Sequence, residues 1–165
     1  MAGYQSTVPD AINALVALFK ASPQLAGMGI YDGPEVSAST ELQVVAVGFT
    51  GERMSTSGAY PEPSQPVVEA ENDVEGLAVN PVSERYTIRC CAACLDGGES
   101  ISAARTGAYQ VLAACGSVIL ADKTLGGVVQ LATLGAGSLL QDQVPRGARA
   151  IVDFSVSVQA FSKKV

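Results

Sequence analysis

The sequence predicts an α+β domain: a mixed, mainly antiparallel sheet with two helices packed on one side, and a long loop after the second strand. Three observations predict it. The C-terminal stretch "ARAIVDFSVSVQAF" sets Ala150, Val152, Phe154, Val156, Val158 and Ala160 on one face and Asp153, Ser155, Ser157 and Gln159 on the other. That is the period of a strand with one packed and one wet face. Two other segments carry apolar stripes at helical spacing. Clusters of Gly, Ser and Pro separate these elements. At 165 residues the chain has room for one domain with a real core, spanning 1–165.

Each element follows in order. "STVPDAINALVALFKASP" is the first helix. Thr7 is its expected cap, Asp10 the capping-box partner three residues on, and Pro9 sits in the first turn. Ile12, Leu15, Val16 and Phe19 form its stripe, and Ser22-Pro23 stops it. A strand or turn is expected over 28–32. "ELQVVAVGF" is nearly all apolar, as in a strand covered on both sides. Residues 50–66 form the long Gly/Ser/Pro loop, and the acidic segment 67–79 holds a short strand. "ERYTIRCCAACL" alternates Tyr86, Ile88, Cys90, Ala92 and Cys94 against Arg85, Thr87, Arg89 and Cys91, again a strand. Asp96-Gly97-Gly98 turns the chain into a helix over about 100–122. Its stripe is Ile101, Ala104, Ala108, Leu112, Cys115 and Ile119, and Gly126-Gly127 ends the stretch. "GVVQLATLGAG" and the alternating C-terminal segment then pair as a hairpin.

Composition is globular, 48% apolar and 16% charged, with aromatics at only 5% and no Trp. The core is therefore expected to be built from small side chains. Apolar runs are too short for a membrane span. The N-terminus lacks a basic region followed by an apolar one, so folding in a cytoplasm is expected.

The residue types present exclude most catalytic chemistry. The chain has no histidine. That removes Ser-His-Asp and Cys-His nucleophiles, the commonest general base, and most zinc and iron sites. "GMGIYDG" and "GAGSLL" match neither the dinucleotide fingerprint nor the phosphate loop. "CCAAC" invites a metal reading. On a strand, however, Cys91 and Cys94 face opposite ways, and Cys90 and Cys94 stand about 13 Å apart. Reduced, buried thiols are expected instead. No catalytic, cofactor-binding or metal-ligating residue is expected. Glu69, Glu71, Asp73 and Glu75 could hold calcium or act as acid and base, but their spacing is not that of a calcium loop. They remain the alternative, a small enzyme or ligand-binding domain. Arg85 and Arg89 share a strand face and are expected to pair with nearby acids. No basic patch carries interleaved aromatics, so sequence-specific nucleic-acid binding is not expected.

Charge is more informative. The net charge is −6, unevenly spread. Residues 30–84 hold ten acids against Arg53 alone, while 85–165 hold eight bases and five acids. Such a chain can attract copies of itself head to tail, and heterologous contacts of that kind close into rings. The two parts could equally face each other within one molecule.

"IYDGPEV", a short polar bridge and "LQVVAVGFTG" resemble the start of tail terminator proteins of long-tailed bacteriophages, especially those infecting actinobacteria. The likeness covers 31–36 and 45–51 as residues, and nearly the whole chain as element order. The closing "VDFSVSVQAF" is also similar. The resemblance implies a structural virion protein of the tail neck, assembled in the host cytoplasm. It implies a ring, typically a hexamer, that caps the tail tube, stops its polymerisation and meets the head-side connector. DNA would cross the bore without sequence-specific binding. A head-side stopper or a tube subunit is the nearest alternative. No individual contact residue carries over from the family. From length and charge, Glu52, Arg53, Met54, Tyr60, Arg105, Arg146 and Arg149 are candidate assembly contacts. Glu62, Glu69, Glu71, Asp73 and Glu75 are candidates to line the bore, because an acidic wall lets phosphates slide past. Asp32-Gly33-Pro34 reads as a rigid turn that aims the following strand.

Overall fold

A computed structural model describes residues 4–33, 41–49, 67–71 and 83–164. Along the chain these form β1 (Tyr4–Gln5), α1 (Val8–Ala21), a 3-10 turn (Pro23–Leu25), β2 (Gly29–Asp32) and β3 (Gln43–Val47). There follow β4 (Val68–Glu71), β5 (Ser83–Asp96), α2 (Ile101–Ala121), β6 (Leu131–Val144), β7 (Gly147–Phe161) and β8 (Lys163–Lys164). The architecture is α+β, as the alternating and helical patterns predict. The main sheet has the order β2-β3-β5-β7-β6, with β4 pairing β5 beyond the end of β3. Every pairing is antiparallel except β2 with β3. A ribbon of β1 and β8 ties the two ends of the described chain together.

The helices cover one face of the sheet. β7 turns Ala150, Val152, Phe154, Val156, Val158 and Ala160 inward, all 2% exposed or less, and β5 adds Tyr86, Ile88, Cys90, Ala92 and Cys94. Opposite them lie Leu15, Val16 and Phe19 of α1 and Ala104, Ala108, Leu112, Cys115 and Ile119 of α2. The expected α2 stripe is narrower than the real one, which also buries Gly107, Val111 and Val118. A helix crossing two long central strands needs a wider apolar face than an edge-packed one. Close approach is possible because the contact residues are small. A Cβ at Gly107 would stand 2.4 Å from the Cys94 sulfur.

Two expectations need correction. The capping box does not form at α1. Thr7 has helical backbone angles (φ −81°, ψ −7°), so its hydroxyl does not turn back to cap the helix. It donates instead to Glu84 (2.7 Å) and lies 3.0 Å from the Tyr86 hydroxyl, while Asp10 pairs with Lys163. β3 is buried on both faces over Val45, Ala46 and Val47, as its apolar run predicts, and half-buried at Gln43 and Val44. Residues 127–130 precede the hairpin's first strand. That strand starts at Leu131 and continues past Gly137 to Val144, with a register shift between Ala136 and Leu139. Gly137 lets the shifted strand lie close to β7, since a Cβ there would meet the Asp153 carbonyl oxygen at 2.4 Å.

The turns follow their residues. Gly33 sits at φ +81° and donates its N–H to the Val47 carbonyl, and Gly48 at φ +72° closes β3. Gly147 turns the β6–β7 hairpin onto the end of β5, where any Cβ would strike the Asp96 carbonyl at 2.1 Å. Ser100 caps α2, its hydroxyl accepting the Ala103 N–H at 3.2 Å.

Candidate functional site

Three of the residues expected from the sequence to serve as assembly contacts, Arg105, Arg146 and Arg149, lie within the described residues. Arg105, Arg146 and Arg149 converge on the end of the sheet where β6 turns into β7. Arg149, on β7, clamps Asp142 of β6 through two hydrogen bonds of 2.9 and 2.6 Å. Arg105, from the first turns of α2, donates to the Gln141 side chain at 3.1 Å. Arg146 is exposed in the hairpin turn. Sequence spacing could not bring these together: the register Asp142↔Arg149 belongs to the hairpin, and Arg105 reaches it only through helix packing.

Glu69 lies on the sheet face away from the helices, where it accepts a hydrogen bond from Arg89 at 2.7 Å. The expected pairing of strand arginines with acids therefore holds for Arg89. Glu71 stands opposite Arg85 in the β4–β5 register. Glu52, Arg53, Met54, Tyr60, Glu62, Asp73 and Glu75 lie outside the described residues, as does the whole loop 50–66. Glu69, the first member of the alternative carboxylate set, thus sits beside a guanidinium on the outer sheet face.

The thiols divide as their alternation predicts, Cys90 and Cys94 toward the helices and Cys91 to the other face. All four cysteines are buried and unpaired. Burial pushes the Cys90, Cys91 and Cys115 thiols up to about 12, far from the range of a nucleophile or ready metal ligand. Among the described residues no group of three or more Cys, Asp or Glu converges as a metal site. Burial also raises the Tyr86 hydroxyl, against a smaller opposing effect of its hydrogen bond with Thr7. The exposed Asp122 carboxyl is held low by hydrogen bonds from the Thr124 side chain and the Gly126 N–H.

Two concavities were invisible in the sequence. A hollow of about 110 Å³ on the outer sheet face is lined by Arg89, Gly137, Asp153, Phe154 and Ser155. Arg89 and Asp153 are its charged lining residues. A more open groove of about 300 Å³ runs beside β2, between Lys20, the segment after the 3-10 turn, Tyr31 and Glu41. There Tyr31 donates its hydroxyl to Glu41 at 2.9 Å and lays its ring over Gly29. No helix among the described residues is long and apolar enough to cross a membrane. No family model matches the chain, and no curated protein matches it either.

Proposed function

We propose that the protein is a structural ring component of a phage tail: a terminator that caps the tail tube, ends its polymerisation and joins it to the head-side connector. The observation that carries the reading is the resemblance of "IYDGPEV…LQVVAVGFTG", set in its element order. A helix leads to the Asp32-Gly33 turn, a buried strand closes on Gly48, and a long strand, a long helix and a closing strand pair follow. The chemistry of the molecule supports it. There is no histidine, the buried thiols are protonated, and Glu69 is paired. The opposite charge of residues 30–84 and 85–165 suits head-to-tail contacts between copies, and six copies would surround a bore. Arg105, Arg146 and Arg149 are then subunit contacts, and part of the acidic stretch faces the DNA.

Electron microscopy of tails assembled in the absence of this protein tests the reading. Overlong tubes of variable length are expected. Tubes of normal, uniform length that join heads as usual would overturn it.

A further inference from the structure

We infer that the outer edge of β6 pairs with the outer edge of β2 from a neighbouring copy, so that the sheet continues from subunit to subunit. The inference rests on the ring reading and specifies its contact.

β2 and β6 end the main strand path, and among the described residues no strand pairs with the far side of either; β4, bonded to β5 alone, leaves a further edge, but its Glu69 and Glu71 are the kind of charge that guards one. Edges of this kind are normally guarded by lysine, proline or inward-pointing charge. β6 has none of these over Leu131–Val144. Its single charge, Asp142, is held by Arg149 on the strand behind it. One end of the edge is covered: the Lys123 carbonyl accepts the Ala132 N–H at 2.7 Å. That bond shows that Ala132 directs its backbone outward, and alternation then turns the backbone groups of Leu134 and Ala136 outward as well. The register shift after Ala136 ends this straight stretch. Four residues, 133–136, remain open before it.

β2 also has four residues. Gly33 donates to Val47 on the inner side, so the groups of Ile30 and Asp32 face away from β3. Strand directions are compatible. β2 runs with β3, and the alternation through β5 and β7 leaves it antiparallel to β6, so a repeat of the sheet joins the two edges in the antiparallel sense. Charge selects the occupant. β2 carries Asp32, with Glu41 bound to Tyr31, two acids against Lys20 in the groove beside it. β6 belongs to the basic part, with Lys123 beside the open stretch and Arg105 and Arg146 at its far end. A β6–β6 pairing would set like-charged surroundings together.

The test is the mass of the purified full-length protein across a concentration series, by native mass spectrometry and light scattering. It is repeated with Ala136→Pro and Ala136→Lys. Ala136 is exposed, and its N–H faces away from β7, so proline there removes an edge donor without breaking the hairpin ladder. Lysine places a charge on the edge. Wild type is expected as a ring. Both variants are expected to keep the wild-type circular dichroism and urea midpoint while needing about tenfold or more protein to assemble. Hydrogen exchange should show protection gained on assembly at Leu134, Ala136, Ile30 and Asp32 together. Rings formed equally well by the folded variants overturn the edge pairing and leave the ring reading standing. Protection at β6 without β2 overturns the choice of partner edge. A wild-type protein that is monomeric at every concentration overturns the ring reading and the pairing with it.

Discussion

Gly107 and Cys94 show how closely individual residues set the spacing of the two layers. A Cβ on Gly107 would lie 2.4 Å from the Cys94 sulfur and 3.1 Å from its Cβ. Gly107→Ala therefore should destabilise by about 1–3 kcal/mol in urea unfolding, despite the better helix propensity of alanine. Cys94→Ala in the same chain should recover part of that loss, because it removes the sulfur. The other thiols make a pH prediction. Folded Cys90, Cys91 and Cys115 titrate near 12, against an ordinary value of 9.0. Their folded pKa is raised, so their contribution is fully present below about pH 9. It falls as pH climbs from there toward 12, where the unfolded chain alone releases protons. Urea midpoints should be unaffected by these groups at neutral pH and drop above pH 9, with each thiol adding at most about 1.4 kcal/mol per pH unit. A flat midpoint from pH 9 to 10.5 would contradict the burial of these thiols.

At the scale of elements, β7 is the strand on which the fold depends. It pairs β5 on one side and β6 on the other, and its inward face supplies much of the core. Phe154→Ala should cost about 3–5 kcal/mol, and Ser157→Ala on the opposite face should stay within about 0.5 kcal/mol of wild type. Equal effects at the two positions would mean that both faces are packed. The alternation of β7 was readable because each of its side chains has one environment along the whole strand. The second half of β6 was not readable. "GAGSLLQDQV" interrupts alternation with two glycines, and its strand character comes from the shifted register against β7, where Leu139 meets Val152 and Asp142 meets Arg149. The Thr7 cap misled for a related reason: its hydroxyl had a partner 77 residues away in Glu84.

For the whole molecule, the proposed assembly makes separate demands. If opposite charges hold copies together, raising ionic strength from about 0.05 to 0.5 M should shift the protein from ring toward monomer, because exposed pairs are screened within a few ångströms at high salt. Light scattering in a salt series reads this directly, and salt-insensitive rings would show that apolar and backbone contacts dominate. Replacing residues 50–66, whose Gly/Ser/Pro composition predicts a loop, by a short Gly-Ser turn should leave the monomer's unfolding midpoint nearly unchanged, since loops of that kind carry little core. The same change should weaken assembly. Normal assembly of the shortened protein would remove that loop from the contact set.

The sequence alone determined the fold class, the two helices, the inward faces of β5 and β7, and the absence of histidine chemistry. These follow from local periodicity and from which residue types exist at all. Only the tertiary structure decided the sheet order, the continuation of β6 past Gly137, and the meeting of Arg105, Gln141, Asp142 and Arg149 at one end. It also decided that Glu69 pairs with Arg89 and that, among the described residues, β2 and β6 end the main strand path with nothing on their far sides. The physical reason is that strand order and register are set by contacts between segments far apart in the chain, and each strand's own pattern is compatible with several neighbours.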